Sequence, residues 1–165
     1  MSVDTVEKLF VSELKDLYSA ENQITKALPK MAKAATSPEL KSAFESHLQE
    51  TEGQIQRLER IFEILGKAPG GKSCKGMKGV LEEGSEVLEE TAEGEVRDAG
   101  LISAAQRVEH YEMAGYGSVR AYAELLGQAE IAKLLQQTLD EESAADKKLT
   151  QISAKVNPKA HKHAA

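Results

Sequence analysis

The sequence predicts an all-α protein, on the grounds of composition and periodicity. Hydrophobic residues make up 41% of the 165 positions and charged residues 29%, with no Trp and three Phe, which is typical of helical proteins rich in Ala, Leu, Glu and Lys. Apolar residues recur at helical spacing over four long segments. The length suits one domain. We therefore expect an antiparallel four-helix bundle over residues 1–156.

The first helix is predicted over residues 4–35. Its inward face has six apolar residues in heptad order and one carboxylate: Phe10, Leu14, Leu17, Glu21, Ile24, Leu28 and Met31. Pro29 lies inside this pattern, but Met31 continues it, so we expect the helix to pass through the proline. Glu21 is therefore predicted to point into the bundle.

The second helix has clear boundary signals. Ser37 can cap it, Pro38 suits its first position, and Gly66 suits its end. The short turn before it predicts that the first two helices are antiparallel neighbours. Polar residues interrupt its apolar face, which reads Leu40, Phe44, His47, Thr51, Gln54, Leu58, Ile61 and Leu65. Glu50 lies on the flank beside His47.

A long crossover follows, because residues 67–79 contain five Gly or Pro. Residues 80–90 can form a short extra helix between the second and third long helices. Cys74 falls in the predicted loop and is interpreted as a loop thiol. A single cysteine cannot form an internal disulfide, which favours a reducing, cytoplasmic environment.

The last two long helices are predicted over residues 95–126 and 129–155. The inward face of the first is Ile102, Ala105, Glu109, Glu112, Tyr116 and Val119. That of the second is Ile131, Leu135, Thr138, Glu142, Ala145, Leu149 and Ile152. Residues 157–165 have no such pattern and are predicted to form a flexible C-terminal tail.

The inward acids are predicted to meet. Antiparallel pairing about the turn at residues 127–128 places Glu112 opposite Glu142 and Glu109 opposite Asp146. The same argument for the first hairpin brings Glu21, Glu50 and His47 to a similar depth. His110 lies off this face and is interpreted as a flanking residue.

Clustered carboxylates need a counter-charge, and the four inward faces contain no Lys or Arg. Two divalent cations would supply it, and carboxylates with an imidazole suit Fe(II) or Mn(II). The alternative for any one of these acids is a side chain that reaches the surface or a subunit contact. All four helices, however, have polar residues on their apolar inward faces at a similar depth in the bundle, and this coincidence favours the metal site.

Charge and hydropathy exclude other partners. The net charge is −6 and the Lys and Arg residues are dispersed, so nucleic acid is not expected to bind. The sequence has neither an N-terminal signal pattern nor an apolar run of membrane-spanning length. We expect a cytoplasmic protein without a membrane partner.

Four segments resemble the YciE/YciF type of ferritin-like bacterial stress proteins. They read DLYSAENQITKALPKMAKAA, SHLQETEGQIQRLERIF, EVRDAGLISAAQRVEHYEMAGYGS and KLLQQTLDEESAADKKLTQI. The resemblance extends from Thr5 to Ile152. It implies a ferritin-like four-helix bundle, a cytoplasmic homodimer and a di-iron site.

The ligand pattern departs from that of common ferritin-like proteins, which take Glu from two helices and Glu-x-x-His from the other two. This sequence has no Glu-x-x-His. It has His47-x-x-Glu50 in reversed order and Glu109-x-x-Glu112, which resembles the doubled carboxylate of rubrerythrins. After Glu142 this sequence has Asp146 in place of the His of the common pattern.

Two functions follow. The first is a stress-response protein that binds two iron ions, or manganese, and oxidises Fe(II) with O₂ or peroxide. Its predicted ligands are Glu21, His47, Glu50, Glu109, Glu112, Glu142 and Asp146. The second is a non-enzymatic helical scaffold or interaction protein whose inner acids are protonated or satisfied by neighbours. Metal content distinguishes the two.

Overall fold

The computed structural model describes residues 2–162, and all regular structure in that range is helical. The helices are α1 (Val6–Ala34), α2 (Pro38–Leu65), α3 (Lys75–Glu90), α4 (Glu95–Leu125) and α5 (Ala129–Lys162). The all-α prediction is confirmed. Within the described residues, no helix combines the length and apolar character needed to cross a membrane.

The helix boundaries of the first hairpin follow their sequence signals. Thr5 caps α1 by accepting a hydrogen bond from the Lys8 amide at 3.2 Å. The helix itself begins at Val6, two residues after the predicted start at residue 4. Ser37 caps α2, and Gly66 ends it in the left-handed conformation with φ of 61°. The helix α1 continues through Pro29, as predicted.

Helix α3 begins at Lys75, earlier than the predicted start at residue 80. Its N-cap is Cys74, whose sulfur accepts a hydrogen bond from the Met77 amide at 3.3 Å. Cys74 lies outside the helix, as predicted, but both side chains are fully buried, so the thiol belongs to the core. Gly76 permits this packing, because a Cβ there would lie 2.5 Å from the Tyr111 ring. Tertiary packing therefore extends the helix beyond its sequence pattern.

Helix α5 continues to Lys162, past the predicted end at residue 155. Val156 is buried in the core and anchors this extension. Pro158 lies within the helix, where it removes a single backbone donor. Residues 157–162 of the predicted tail are therefore helical, and residues 163–165 lie outside the described range.

The long helices pack as two hairpins. Helix α1 pairs with α2 and α4 pairs with α5, while α1 also contacts α4 and α2 contacts α5. Side-chain contacts show that α4 and α5 are antiparallel: Met113 contacts Ser143 at 3.3 Å, whereas Gln106, earlier in α4, contacts Thr150, later in α5. Helix α3 packs against α4 and α1.

Two apolar clusters fill the core, one on each side of a polar layer. The first contains Ile24, Leu28, Met31, Leu40, Phe44, Leu101, Ile102, Ala105, Val108, Leu149, Ile152 and Val156, among others. The second contains Phe10, Leu14, Leu17, Leu58, Ile61, Phe62, Tyr116, Val119, Ala123, Ile131, Ala132 and Leu135. Each long helix passes from one cluster to the other, and the residues between them are polar.

Candidate metal centre

Five of the buried polar residues between the two apolar clusters are ionisable, and every long helix contributes at least one of them. We call this group the central cluster: Glu21 from α1, His47 from α2, Glu109 and Glu112 from α4, and Glu142 from α5. All five are buried, with no side chain more exposed than the 6% of His47. The prediction that these residues point inward is confirmed.

His47 connects α2 to the carboxylates of α4 and α5. Its Nε2 atom lies 3.1 Å from Glu109 Oε1 and 3.8 Å from Glu142 Oε2. One ligand atom from each of His47, Glu109, Glu112 and Glu142 lies within 4.8 Å of the other three. These four side chains are therefore close enough to share a metal ion.

The central cluster does not satisfy its own hydrogen-bonding groups. Within the described residues, seven of its buried atoms lack a hydrogen bond, although His47 Nε2 lies within ion-pair distance of Glu109: Glu21 Oε2, His47 Nε2, Glu109 Oε2, both Glu112 oxygens and both Glu142 oxygens. Buried polar atoms are nearly always paired, since an unpaired one costs about 1–3 kcal/mol. A metal ion could contact several of these atoms at once.

Burial makes three of the carboxyl groups hard to ionise. It raises the pKa of Glu112 well above its usual value, and the nearby carboxylate of Glu21 adds to the shift. Burial and the neighbouring Glu109 raise the pKa of Glu142 in the same direction. Burial also raises the pKa of Glu21 to about 7, although a hydrogen bond from Tyr116 opposes the shift. Without a cation, the cluster therefore retains protons.

His47 and Glu109 form the ionised pair of the cluster. Burial lowers the pKa of His47, but the charges and close polar contacts of Glu109, Glu50 and Glu142 together outweigh it, and the pKa lies well above its usual value. Burial raises the pKa of Glu109, yet the charge of His47 together with close polar contacts to Glu142 and His47 reverses the effect and leaves this pKa low. A single imidazolium compensates only one of the four buried carboxyl groups.

Tyr116 is a member of the site that the sequence pattern did not reveal. Its hydroxyl donates a hydrogen bond to Glu21 Oε1, and the residue is fully buried. In the sequence it appears only as an apolar position of the α4 inward face. Its place one turn after Glu112 is the signal that could have assigned it a partner in the polar layer.

Glu50 and Asp146 lie at the edges of the cluster. Glu50 is 47% exposed, and its Oε2 atom lies 3.3 Å from His47 Nδ1. Asp146 is 20% exposed, and its Oδ1 atom lies 3.2 Å from His110 Nε2 and 3.1 Å from Gln106 Nε2. His110 is itself 66% exposed, which agrees with its position off the inward face of α4.

The donor set fits a divalent metal. It comprises carboxylate oxygens and one imidazole nitrogen, which suit Fe(II) and Mn(II) better than soft thiolate-binding ions. The Nε2 atom of His47 faces the carboxylates, while Nδ1 faces Glu50. Metal-ligating histidines commonly hold a carboxylate on the second ring nitrogen in this way.

The sequence matches one protein family over nearly its whole length. The profile of the family described as "Domain of unknown function (DUF892)" matches residues 5–161. The protein YciF of Escherichia coli strain K12 is 47% identical over 166 residues, covering 99% of this chain and all of the relative. The resemblance found in the sequence segments is therefore confirmed.

Solved structures give the same assignment. The crystal structure of the E. coli stress protein YciF superposes with a TM-score of 0.92 at 46% identity, covering 95% of this chain and 99% of that one. A Rhodopseudomonas palustris protein, described as a candidate structural protein, gives a TM-score of 0.88 at 45% identity, with coverages of 91% and 97%. A Xanthomonas campestris protein, at 23% identity and a TM-score of 0.74, shares the fold.

Proposed function

This chain belongs to the DUF892 family, and on that premise we propose that it is a ferritin-like stress-response protein that binds two metal ions in its central cluster. The E. coli relative is described as a stress protein, which supports the assignment to stress defence. We propose iron as the metal, with manganese as the alternative, because carboxylates outnumber the single imidazole.

One observation carries the proposal: within the described residues, seven of the nine buried side-chain atoms that lack a hydrogen bond belong to the central cluster. Burying several carboxyl groups with a single imidazolium as their counter-charge is costly. Divalent cations would pair with these atoms, displace the retained protons and neutralise the charge. The arrangement is costly without metal and favourable with it.

The residues would have different roles, according to where they lie relative to the central cluster. His47, Glu109, Glu112 and Glu142 would supply the ligand atoms that already lie together. Glu21 would complete the second ion site from the opposite helix. Glu50 and Asp146 would act from the edges, where Glu50 orients the His47 ring and Asp146 holds His110.

We propose that the reaction is oxidation of Fe(II) by O₂ or hydrogen peroxide. The metal site would supply the electrons and open coordination positions. Two bound Fe(II) ions would supply two electrons, which with two protons are what one hydrogen peroxide needs to form two waters. The hydroxyl of Tyr116 holds a proton at Glu21.

The wider architecture belongs to the same proposal. The four long helices would form a ferritin-like antiparallel bundle, with α3 as the extra helix of the crossover. We also propose a homodimer in a reducing compartment such as the cytoplasm. The buried, unpaired Cys74 suits such a compartment.

Thermal unfolding with and without metal tests the proposal. Anaerobic Fe(II) or Mn(II) should raise the Tm of the chelator-treated wild type, because a ligand that binds only the folded state stabilises it. The double variant Glu109→Ala with Glu142→Ala should show no such increase. Equal shifts for both proteins, or no shift for either, would refute the metal site.

A scaffold role is the second candidate, and the description of the R. palustris relative as a candidate structural protein favours it. On this account the same double variant would be neutral or stabilising, because it removes buried acids that have no function. The wild type would then bind no metal.

A further inference from the structure

A groove runs from the surface between α1 and α3 to the central cluster. Its inner part is a cavity of about 490 Å³ that reaches His47 and Glu109 and also opens to the surface beside Ser42, Ser46 and Lys148. Its outer part is a cavity of about 290 Å³ between α1 and α3. The two cavities adjoin, because both are lined by Ala27, Met31, Leu81 and Val108.

The inner cavity has the size and lining of a site for an organic molecule. Its walls include Ile24, Leu28, Phe44, Val108 and Leu149. Small-molecule sites are typically apolar cavities of about 300–1,000 Å³ with a few polar groups. Neither a metal ion nor O₂ needs an apolar space of this size. The cavity therefore indicates a ligand with a long apolar part.

The outer end of the groove is positively charged. Lys26, Lys30 and Lys78 line it. Lys78 lies 3.7 Å from Glu82, but within the described residues neither Lys26 nor Lys30 has an ion-pair partner. Three lysines at one opening of a chain with net charge −6 would attract an anion. The inner cavity is lined by Glu39, Glu50 and Glu109 and by one lysine, Lys148, so negative side chains outnumber positive ones there.

We propose that this groove binds a free fatty acid. The carboxylate would lie at Lys26, Lys30 and Lys78, and the alkyl chain would extend through the inner cavity toward His47. Charge and apolar character change along the groove in the order that such a molecule requires. The binding site stands on its own, whereas the placement of the chain end beside a metal rests on the proposed function.

Dodecanoate binding to the metal-free protein tests the polar end. The variant Lys26→Gln with Lys30→Gln should bind dodecanoate about fivefold more weakly in calorimetry, because two exposed cation contacts are lost. The matched control is Lys15→Gln with Lys33→Gln, two lysines of α1 that line neither cavity. Its affinity should equal that of the wild type. Uncharged dodecanol should bind all three proteins alike.

A block in the groove tests the apolar part. Ala27→Phe places a ring where the two cavities join and should weaken dodecanoate binding by more than about tenfold through overfilling. Circular dichroism and metal affinity should match the wild type, because Ala27 is partly exposed and lies six residues, about 9 Å, along α1 from Glu21, the ligand of that helix. Absence of dodecanoate binding to the wild type, or binding that neither variant alters, would overturn the inference. Loss of a dimer in Ala27→Phe with unchanged dodecanoate affinity would assign the groove to a second copy instead.

Paramagnetic broadening then locates the chain end. Mn(II)-loaded protein should broaden the ¹³C resonance of the dodecanoate methyl group more than that of its carboxylate. Stronger broadening of the carboxylate would overturn the proposed orientation. If Mn(II) does not bind while dodecanoate still does, the metal site of the proposed function fails and the groove site is retained.

Discussion

Two consecutive glutamates of α5 lie in opposite environments. Glu141 receives two hydrogen bonds from Arg57, at 3.1 and 2.9 Å, and a third from Gln54 at 3.1 Å. Glu142 is fully buried, and neither of its carboxylate oxygens has a hydrogen-bond partner among the described residues.

The difference separates a structural acid from a candidate ligand. The guanidinium of Arg57 is a fixed counter-charge for Glu141, and this bidentate pair connects α2 to α5. The central cluster has only the His47 imidazole to balance four carboxyl groups. The Arg57–Glu141 pair carries its own cation, whereas the central cluster leaves buried carboxyl groups available to a cation from outside.

The largest expected effect comes from exchanging each of these glutamates for glutamine. Residues that only hydrogen-bond to a metal ligand contribute about 10–100-fold to metal affinity. Because Glu142 would be a ligand itself, Glu142→Gln should lower the metal affinity by at least about 100-fold. Glu141→Gln should bind Fe(II) or Mn(II) within about twofold of the wild type, since its oxygens already bind Arg57. Anaerobic calorimetry measures both. Equal losses in the two variants would remove the distinction between the sites.

Glu50 should have the next largest effect. Its carboxylate lies 3.3 Å from His47 Nδ1 and would fix the tautomer that presents Nε2 to the metal. Glu50→Gln should weaken metal binding by about tenfold and leave the metal-free Tm nearly unchanged, because the side chain is half exposed. Calorimetry beside thermal unfolding separates these readouts. A loss as large as that of Glu142→Gln would make Glu50 a direct ligand.

Removing the counter-charge of Glu141 should affect stability and not metal affinity. Arg57→Met leaves Glu141 without its cation and should lower the free energy of unfolding by about 1–2 kcal/mol, less than for a fully buried pair because Glu141 is 28% exposed. Urea denaturation measures the change. Weaker metal binding by this variant would show that the Arg57–Glu141 pair and the central cluster are coupled.

The last expected effect is the pH dependence of the metal-free protein. The pKa of Glu21 rises from 4.5 to about 7 on folding, so the folded state binds more protons between these values. Its contribution to stability is therefore present below about pH 4.5 and is lost as the pH rises toward 7. Glu21→Gln should reduce this slope in chelator-treated protein. A free energy of unfolding that rises with pH in the wild type, with the rise absent in the variant, would contradict a raised pKa of Glu21 in the folded state.

Much of the fold could be predicted because its signals are local. Ser37, Pro38 and Gly66 mark the ends of α2, and the apolar periodicity marks each inward face. The start of α3 and the end of α5 depend on the burial of Met77 and Val156, which arises only when distant helices meet. Sequence periodicity does not contain that information.

The inward members of the central cluster could also be predicted, because each is a polar exception on an apolar face. Their partners could not. Whether His47 contacts Glu109 and whether Glu50 stays near the surface depend on the rotation of α2 about its axis, which packing decides. Asp98 shows the same limit: it is buried because its carboxylate accepts hydrogen bonds from the Thr36 and Ser37 amides, at 2.8 and 2.7 Å, across the α1–α2 turn.

Anomalous X-ray scattering at the iron edge, from crystals of protein purified without chelator after iron supplementation, tests the central claim most directly. The account predicts anomalous peaks within the central cluster, bounded by His47, Glu112 and Glu142. A cluster without peaks, in which Glu112 and Glu142 bind each other or ordered water, would contradict it.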